Sequence, residues 1–425
     1  MGTDEVRLLC TGDLHLGRHP TRVPADTERG SVSTARAWAT IANTAVEYDV
    51  DGVLLSGDIG DRANRYFEIV GAFETGLSIL ADAAIPVVAV AGNHDARFLP
   101  QLAADLYGLT LLGEDGRWER HELAAGRPVH IDGWSFPRTN VSVSPLETYP
   151  DEAVDSPHLG LLHADLDASG GTNAPVALSE LAATVTDGWI LGHIHAPGRR
   201  NEDPLVLYPG SPQPLDPGEP GPHGPWLLTW TPASGWTPTH LPTATLRYDN
   251  LAVDVTDVET PESAMAAAST AMAKHLAGIE GREHVTAFVP RITFTGSTPI
   301  HTDLVDAATA MADQFGRTVD DVRVGLDEIT IGTRPAVGTG NRDDGPIGYL
   351  VDVLASIEGG TVHNDYPDLY REARARAEEA YGAATYAPLR RAGRQPSPPA
   401  DDVETQLKHE VKRLLDQLVA QKEDT

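Results

Sequence analysis

Five short polar clusters hold most of the side chains in this sequence that are suited to chemistry. They are Gly12-Asp13-Leu14-His15, Gly57-Asp58-Ile59-Gly60-Asp61, Gly92-Asn93-His94-Asp95, Leu162-His163-Ala164-Asp165 and Gly192-His193-Ile194-His195. In the first and last clusters two metal-binding side chains are two residues apart, so both point to one side of an extended backbone. Carboxylate, imidazole and carboxamide ligands without a thiolate suit divalent ions such as Mn²⁺, Fe²⁺ or Zn²⁺. The clusters hold too many ligands for one tetrahedral ion, and they fit two ions that share a bridging carboxylate.

Each cluster taken alone also has a plain structural interpretation. A single Asp-x-His is more often a turn or surface pair, Gly-Asn-His-Asp can be a simple turn, and His163 can be a buried core histidine. Five such clusters in this order, each directly after a strand-like run, favour one shared site instead.

The elements that must position these clusters form an α/β layout from residue 1 to about 245. Apolar runs predict buried strands at Val6–Cys10, Val53–Leu55, Val87–Val90, Leu159–Leu162, Trp189–Leu191 and Leu205–Tyr208. Helix-like spacing covers Ser31–Glu47 and Tyr66–Ala83. Ligands of open α/β sheets bind beyond the carboxyl ends of the strands, so we expect the clusters to meet there. Glycine ahead of four of the clusters permits close approach of the backbone.

A second, smaller α/β unit is predicted to follow. Its elements are strand-like Leu251–Val255, helix-like Pro261–Leu276, strand-like Thr286–Phe294, helix-like Thr302–Phe315 and strand-like Val322–Ile331. The predicted domains are therefore 1–245, 247–335 and 336–425, the last containing linkers at Gly338–Gly345 and Arg390–Ala400 and helical segments. No G-x-x-x-x-G-K-[ST] motif occurs, so we do not expect the chain to hydrolyse ATP by itself.

The last predicted helix carries one apolar stripe. Its members are Val403, Leu407, Val411, Leu414 and Leu418, spaced by four, four, three and four residues. The stripe is compatible with packing on the chain's own core, with homodimerisation, or with docking on another chain.

Composition limits the classes of protein. The 425 residues include 62 acidic and 32 basic ones, a net charge of -30, which excludes a uniformly basic nucleic-acid wrapper. The acidic excess fits a high-salt cytoplasm, repulsion of anionic partners, or ordinary solvation. The single cysteine, Cys10, excludes a disulfide framework and a cysteine-based zinc site, and it suits a reducing cytoplasm. The first residues lack a signal-peptide pattern and no run approaches the ~18 apolar residues that cross a bilayer, so we expect a cytoplasmic protein without a membrane segment.

The ordered clusters D-x-H, G-D-x-x-D, G-N-H-[DE], a lone His and G-H-x-H resemble the calcineurin-like, dinuclear metallophosphoesterase superfamily over residues 6 to 212. Within it the sequence most resembles SbcD- and YhaO-type DNA-repair exonuclease subunits. Three segments carry this narrower resemblance, namely Asp13–Gly17, Gly133–Arg138 and Tyr208–Asp216. The resemblance implies the metallophosphoesterase fold, a two-layered β-sandwich flanked by helices, with a small α/β capping domain and a helical C-terminal tail.

The resemblance also assigns roles to the cluster residues. It implies that Asp13, His15 and His195 hold one metal ion, that Asn93, His163 and His193 hold a second, and that Asp58 bridges them. Mn²⁺ is the expected metal, with Fe²⁺, Zn²⁺ or Mg²⁺ as alternatives. His94 would protonate or steady the departing oxygen, while Asp95 would either orient His94 or cap a helix.

The function so implied is a metal-dependent DNA exonuclease or endonuclease subunit of DNA repair, working with an SbcC/YhaN-like ATPase through its C-terminal helices. A phosphatase or cyclic-nucleotide phosphodiesterase acting on a small substrate is an alternative, because the fold does not fix the substrate. A scaffold subunit with an inactive site is a third. Some nucleases of the superfamily have histidine where this chain has Asp61, which leaves the handling of strand ends open.

DNA is difficult to reconcile with the net charge, because phosphate contacts normally require many basic residues. Five arginines near the clusters would make the mouth of the site locally positive, although they are equally compatible with a scattered surface. They are Arg18, Arg62, Arg97, Arg138 and Arg199. Alternatively, the partner supplies the contacts to DNA.

Overall fold

A computed structural model describes residues 5–60, 66–168, 170–256, 258–335, 345–382 and 400–423. Arg62, Asp61 and most of both predicted linkers lie outside the described residues. None of the helices in these ranges is long and apolar enough to cross a membrane.

Two six-stranded sheets account for the first twelve strands of the described chain. The strands are β1 Val6–Thr11, β2 Gly52–Leu55, β3 Val87–Ala89, β4 Leu109–Leu111, β5 Trp118–Leu123, β6 Val129–Trp134, β7 His158–His163, β8 Gly188–Gly192, β9 Gly198–Glu202, β10 Leu205–Tyr208, β11 Trp226–Thr231 and β12 Gly235–His240. The first sheet has the order β12-β11-β1-β2-β3-β4 and the second the order β5-β6-β7-β8-β10-β9. Strands β1 to β4 run parallel to one another, as do β6, β7, β8 and β10.

The two sheets pack face to face as a sandwich. Leu8 and Cys10 of β1 share one buried cluster with Leu161 of β7 and Ile190 of β8, because alternate side chains of each strand point to the same face. The opposite face of the first sheet packs on helices through residues such as Trp38. Strands covered on both faces read as continuous apolar runs, which is why they were recognisable in the sequence.

Each of the six strands predicted in this part is confirmed to within one residue at either end. The helices are α1 Thr34–Glu47, α2 Tyr66–Asp82, α3 Leu99–Asp105 and α4 Leu178–Ala182. The first begins three residues later than predicted, because the side chain of Ser33 accepts a hydrogen bond from the Arg36 N–H and caps it. Strands β4 to β6 were not predicted; β5 is a polar edge strand with little apolar signal.

A third sheet follows, with the order β13-β14-β17-β16 and β18 beside β14. Its elements, with the small β15/β19 pair, are β13 Leu246–Asp254, α5 Pro261–Gly278, β14 Ala287–Thr295, β15 Ser297–Thr298, α6 His301–Gln314, β16 Arg317–Val319, β17 Val322–Val324, β18 Ile329–Ile331 and β19 Arg334–Pro335. The prediction of one strand over Val322–Ile331 is wrong, because that segment forms β17 and β18. Both pair with β14, in which Pro290 has no N–H to continue the ladder.

The C-terminal part is helical, as predicted. It contains α7 Pro346–Glu358, α8 Val362–Asp365, α9 Pro367–Gly382 and α10 Ala400–Glu423. These helices share a core that includes Val353, Leu407, Val411 and Leu415. The predicted stripe therefore packs, at least in part, on the chain's own core. The prediction that Leu414 belongs to this stripe is wrong, because Leu414 is 41% exposed whereas Leu415 is buried.

The described residues form two compact units. One is built from Met1–Val253, Met265–Phe294 and Ala307–Thr330, and the other from Asp254–Ala264, Thr295–Asp306 and Ile331–Thr425. The domain boundaries at 245, 247, 335 and 336 stay a prediction.

Candidate metal centre

The polar clusters lie where the strands of the two sheets end. Asp13 follows β1, Asp58 follows β2, and His163 is the last residue of β7. Hydrogen bonds join these loops across the sheets: the Asp13 N–H donates to the Gly57 carbonyl at 2.9 Å, and the His193 N–H donates to both carboxylate oxygens of Asp13 at 3.1 Å. The loops of the first and second sheets are therefore fixed to each other at this edge.

Two groups of potential ligand atoms converge here. In one group, single ligand atoms of Asp13, His15 and His195 all lie within 4.8 Å of one another, and in the other the same holds for Asp13, Asp58 and His163. The Nε2 atoms of His15 and His195 are 3.0 Å apart. The first group contains the three residues expected to hold the first ion.

The residues predicted to bind the second ion also lie near one another. His163 Nε2 lies 3.0 Å from Asn93 Oδ1 and 3.4 Å from Asp58 Oδ2. His193 lies beside them, with its ring centroid 5.4 Å from that of His163. Its Nε2 faces the amide nitrogen of Asn173 at 3.3 Å, which leaves Nδ1 as the ring atom available to an ion.

The hydrogen bonds of His163 fit a cation at this point. Its Nδ1 lies 3.0 Å from the Ser56 carbonyl oxygen, which can only accept, so Nδ1 carries a proton, and in the neutral, metal-binding form of the ring Nε2 presents a lone pair. That lone pair faces the Asn93 oxygen, a second acceptor, and a cation bound to both removes their repulsion. A separation of about 3.0 Å is also the spacing of neighbouring ligands around an ion with bonds of ~2.1 Å. His15 Nδ1, buried and without a hydrogen-bond partner among the described residues, is a further unsatisfied polar atom.

Four of the predicted ligands have a left-handed backbone. The φ angle is 47° at Asp13, 42° at His15, 51° at Asp58 and 97° at His193. Such conformations are uncommon outside glycine and persist where the surrounding structure enforces them, often at functional sites. All four are Asp or His, residue types that adopt positive φ more readily than most side chains other than glycine.

Two glycines make room for the ligands. A Cβ on Gly92 would collide with the carboxylate of Asp58, and one on Gly192 would collide with the Ser56 carbonyl and lie 2.6 Å from His163 Nδ1. The absence of a side chain at these positions lets the loops of the two sheets approach each other.

Burial without a balancing positive charge perturbs the ionisable groups of the site. Burial raises the pKa of Asp13 to about 7, with a contribution from Asp58 and against the effect of His195. Burial lowers the pKa of His15 to about 3, although Asp58 opposes the shift. Burial alone would raise the pKa of Asp58, but His163 and His15 outweigh it and the pKa falls. His15 is thus neutral, the form of imidazole that binds metals.

His94 and Asp95 occupy different environments. His94 is exposed, its N–H donates to Asp58 Oδ1 at 3.0 Å, and its ring centroid lies 5.3 Å from that of His15. Asp95 is buried, and its two oxygens accept hydrogen bonds at 2.6 Å from the N–H groups of Ile59 and Gly92. Asp95 therefore ties two of the ligand loops together. The alternative that it caps a helix is wrong, because the N-cap of α3 is Phe98.

The sequence analysis missed Glu219. Its Oε1 lies 2.6 Å from His195 Nδ1, and it follows that histidine by 24 residues within a proline- and glycine-rich segment. Burial alone would lower the pKa of His195, but the hydrogen bond to Glu219 and the negative charges of Asp13, Glu219 and Asp58 together outweigh burial and raise it. No motif or spacing in the sequence marks this residue.

Of the five arginines expected to contact DNA, the structure describes Arg18, Arg97, Arg138 and Arg199. Arg18 is half-buried beside His15, whose carbonyl accepts from the Arg18 N–H at 3.0 Å. Arg97, Arg138 and Arg199 are exposed. Arg62 lies outside the described residues.

The loop between β1 and α1 is organised by the third sheet. The Arg22 side chain pairs with Asp327 at 3.3 Å, the Tyr248 hydroxyl donates to the Arg22 carbonyl at 2.5 Å, and Val23 packs on the apolar cluster of that sheet. This part of the loop is therefore held by the protein itself.

Comparisons with known proteins agree with this geometry. Residues 6–197 match the family Calcineurin-like phosphoesterase, and residues 248–334 match Metallophosphoesterase YhaO, middle domain. The chain is 28% identical over 204 residues to "Uncharacterized metallophosphoesterase YhaO" of Bacillus subtilis, covering 46% of this chain and 49% of that protein. It is 23% identical over 227 residues to "DNA double-strand break repair protein Mre11" of Methanopyrus kandleri, covering 49% of each. The chain thus spans about half the length of the curated relatives it matches.

Among solved structures, calcineurin-like phosphoesterase YfkN from Bacillus subtilis is 16% identical, with 55% of this chain and 87% of that chain covered and a TM-score of 0.34. A score of this size carries no weight in the assignment. The assignment comes from the two family matches, which cover the sandwich and the third sheet. Through them the chain contains a calcineurin-like phosphoesterase domain over residues 6–197 and a YhaO-type middle domain over residues 248–334.

Proposed function

We propose that this chain is the nuclease subunit of a DNA-repair complex, a metal-dependent exonuclease or endonuclease that hydrolyses phosphodiester bonds. One observation carries the proposal of a metal centre: the lone pair of His163 Nε2 faces Asn93 Oδ1 at 3.0 Å in a buried group of acidic and imidazole side chains. The choice of DNA is supported by the relatives in Methanopyrus kandleri and Aeropyrum pernix, both of which are named for DNA double-strand break repair.

In this proposal seven side chains hold two divalent ions. Asp13, His15 and His195 would hold the first, Asn93, His163 and His193 would hold the second, and Asp58 would be shared by both. Bound ions of this kind polarise the phosphoryl oxygens and lower the pKa of water. Mn²⁺ is the metal we expect, with Fe²⁺, Zn²⁺ and Mg²⁺ as alternatives that the same ligands accommodate.

His94 is proposed to donate a proton to the departing oxygen of the phosphodiester. Its exposure leaves it accessible to a substrate, and its ring adjoins that of His15 at the edge of the ligand group. A positioned acid of this kind adds roughly 10²–10⁴-fold to a reaction rate. Asp95 supports this arrangement by fixing the loop that carries His94.

DNA binding is proposed to combine local arginines with a partner. Arg18 beside the ligands, with the exposed Arg97, Arg138 and Arg199 and with Arg62, would supply positive charge on an otherwise acidic chain of net charge -30. An SbcC/YhaN-like ATPase would supply the remaining contacts.

We propose that this ATPase docks on the C-terminal helices. Tyr349 of α7 is 52% exposed and Leu414 of α10 is 41% exposed, so apolar side chains remain available on helices whose core is already filled. Changing Leu414 to Glu should abolish co-purification of the ATPase and leave cleavage of small substrates intact. Co-purification that survives the change would locate the docking surface elsewhere, and a loss of chain dimers instead would indicate homodimerisation.

The proposed domains are 1–245, 247–335 and 336–425, and the proposed location is the cytoplasm. The middle-domain match at 248–334 supports the second boundary. The single cysteine, buried in β1, supports a reducing compartment.

The function is tested by comparing substrates in the presence of Mn²⁺. Single-stranded DNA, hairpin DNA and a nitrophenyl phosphodiester are offered to the same preparation, with a chelator as the negative control. We expect cleavage of DNA that the chelator abolishes. Rapid cleavage of the nitrophenyl ester with none of DNA would overturn the nuclease proposal in favour of a small-substrate phosphodiesterase.

A further inference from the structure

We infer that Glu219 is a positioning residue that holds His195 in the tautomer and orientation needed to bind an ion. The inference rests on the proposed function, because it takes His195 as a metal ligand. It extends that proposal to a residue outside the five polar clusters.

The Glu219 carboxylate is placed against the far nitrogen of His195. Its Oε1 lies 2.6 Å from His195 Nδ1, while Nε2 of the same ring lies 3.0 Å from His15 Nε2. An ionised carboxylate only accepts hydrogen bonds, so Nδ1 carries the proton and Nε2 presents its lone pair toward the ligand group. The opposite tautomer would direct a proton at the position where an ion binds.

Glu219 is itself held in place through its second oxygen. Oε2 accepts hydrogen bonds from the Ser211 hydroxyl at 3.0 Å and from the Leu215 N–H at 2.9 Å. The Ser211 N–H in turn donates to the His195 carbonyl at 2.9 Å. These bonds close a ring from His195 through Ser211 and Glu219 back to the imidazole, so the carboxylate has little freedom to leave the histidine.

His223 closes the same segment from the other side. It is 1% exposed, its Nδ1 lies 2.6 Å from the Ser211 carbonyl, and its Nε2 lies 3.2 Å from the Glu219 carbonyl. The segment from Ser211 to His223 is therefore held by several internal hydrogen bonds. Glu219 is its ionised side chain that faces His195.

Carboxylates that accept from metal-binding imidazoles fix the ring and raise its basicity, and their loss commonly costs 10–100-fold in metal affinity. Glutamine at position 219 would still offer an oxygen to Nδ1, but its amide group would face the Leu215 N–H without accepting from it. Alanine would remove the acceptor altogether. We therefore expect metal affinity to fall in the order wild type, Glu219→Gln, Glu219→Ala.

The chain offers a matched control outside the site. Asp249 Oδ2 lies 2.8 Å from His275 Nε2, a carboxylate–imidazole pair of similar geometry whose histidine is not a predicted ligand. The Asp249→Asn variant disturbs such a pair while leaving the ligand group untouched. It separates a general cost of losing a buried carboxylate from a specific effect on metal binding.

Titration calorimetry of the full chain with Mn²⁺, without substrate, tests the inference. Wild type and Asp249→Asn should bind two ions; Glu219→Gln should bind one of them about 10-fold more weakly and Glu219→Ala about 100-fold more weakly. Nitrogen-15 NMR of the metal-free chain, at a pH high enough for the His195 ring to be neutral, should show its Nδ1–H tautomer in wild type and a mixture in Glu219→Ala. If Glu219→Ala fails to fold, the Glu219→Gln measurement decides.

The outcomes distinguish a failure of the Glu219 inference from a failure of the proposed metal-dependent function. If both Glu219 variants bound two ions with wild-type affinity, the role of Glu219 would be overturned, whereas the proposed metal centre would be supported. Weakening of both ions alike in the Glu219 and Asp249 variants would also overturn it, since the effect would then be general. A wild-type chain that binds no ions would overturn the proposed function, and the inference with it.

Discussion

His15 Nε2 lies 3.0 Å from His195 Nε2, although 180 residues separate the two histidines. One follows a strand of the first sheet and the other follows a strand of the second, so their contact depends on how the two sheets pack. The apolar cluster between the sheets therefore sets the distance between two predicted ligands of one ion. Stability of the sandwich and integrity of the site are linked through this distance.

Asp58 is predicted to be required for both ions. It adjoins His15 and His163, one from each predicted ligand set, at 3.9 Å and 3.4 Å. Asp58→Asn keeps a residue that tolerates the left-handed backbone but removes the charge between the ions. We expect the manganese content, measured by mass spectrometry of the dialysed protein, to fall from two ions per chain to fewer than one. Asp49→Asn, at another left-handed aspartate in the loop after α1, should retain two.

His94 is predicted to act on the substrate without holding metal. Its loss should leave two manganese ions bound while kcat on hairpin DNA falls by roughly 10²–10⁴-fold, the usual contribution of a positioned acid. His409→Ala, which removes an exposed imidazole from α10, should change neither quantity. A His94→Ala chain that cleaves DNA at the wild-type rate would remove this residue from the reaction.

The sequence was sufficient to predict that several of the cluster side chains lie close together, because each cluster follows an apolar run that indicates a buried strand. Asp13, Asp58 and His163 are examples in which the strand end and the site coincide. Glu219 was not predictable in this way. Its contact with His195 arises from the path of a loop without regular structure, and no periodicity encodes such a path.

Two further features of the structure could not be predicted from local sequence patterns, because they too depend on tertiary contacts. Arg22, in the loop after His15, pairs with Asp327, which is distant in sequence, and no local pattern predicts such a pair. In the C-terminal helix a period of 3.6 residues allows the position after Val411 to be either Leu414 or Leu415. Only packing on the neighbouring helix decides between them.

The register of α10 leads to a prediction about the C-terminal helices. Leu415 is buried in their shared core, whereas Leu414 is 41% exposed. Leu415→Ala should cost about 2–5 kcal/mol of local stability, and Leu414→Ala should stay within about 0.5 kcal/mol. Amide hydrogen exchange within α10 measures both, and a 2 kcal/mol loss accelerates it by roughly 30-fold. Equal effects of the two variants would contradict this register.

A buried ionic network in the second sheet gives a prediction about pH. Asp132 of β6 accepts hydrogen bonds from Arg120 Nε at 2.7 Å, the Tyr149 hydroxyl at 2.7 Å and His158 Nε2 at 2.8 Å. Burial alone would raise the pKa of Asp132, but these partners outweigh it and hold the pKa well below its ordinary value. Because the pKa is lower in the folded state, the ionised carboxylate stabilises the fold above the unfolded pKa of about 3.9, and the contribution is lost as pH falls below that value.

Replacing Asp132 by Asn should therefore cost stability at neutral pH and much less in acid. The variant leaves Arg120 facing a neutral amide, and removal of one partner of a buried ion pair typically costs about 3–5 kcal/mol. The difference in free energy of unfolding between wild type and Asp132→Asn, from urea titrations, should be constant above pH ~5 and shrink toward pH ~3. Asp105→Asn, at an exposed acid that ends α3, should differ from wild type by less than about 0.5 kcal/mol throughout. A difference for Asp132→Asn that stayed the same from pH ~3 to pH ~7 would mean that packing around the side chain, rather than its charge, stabilises this part of the sheet.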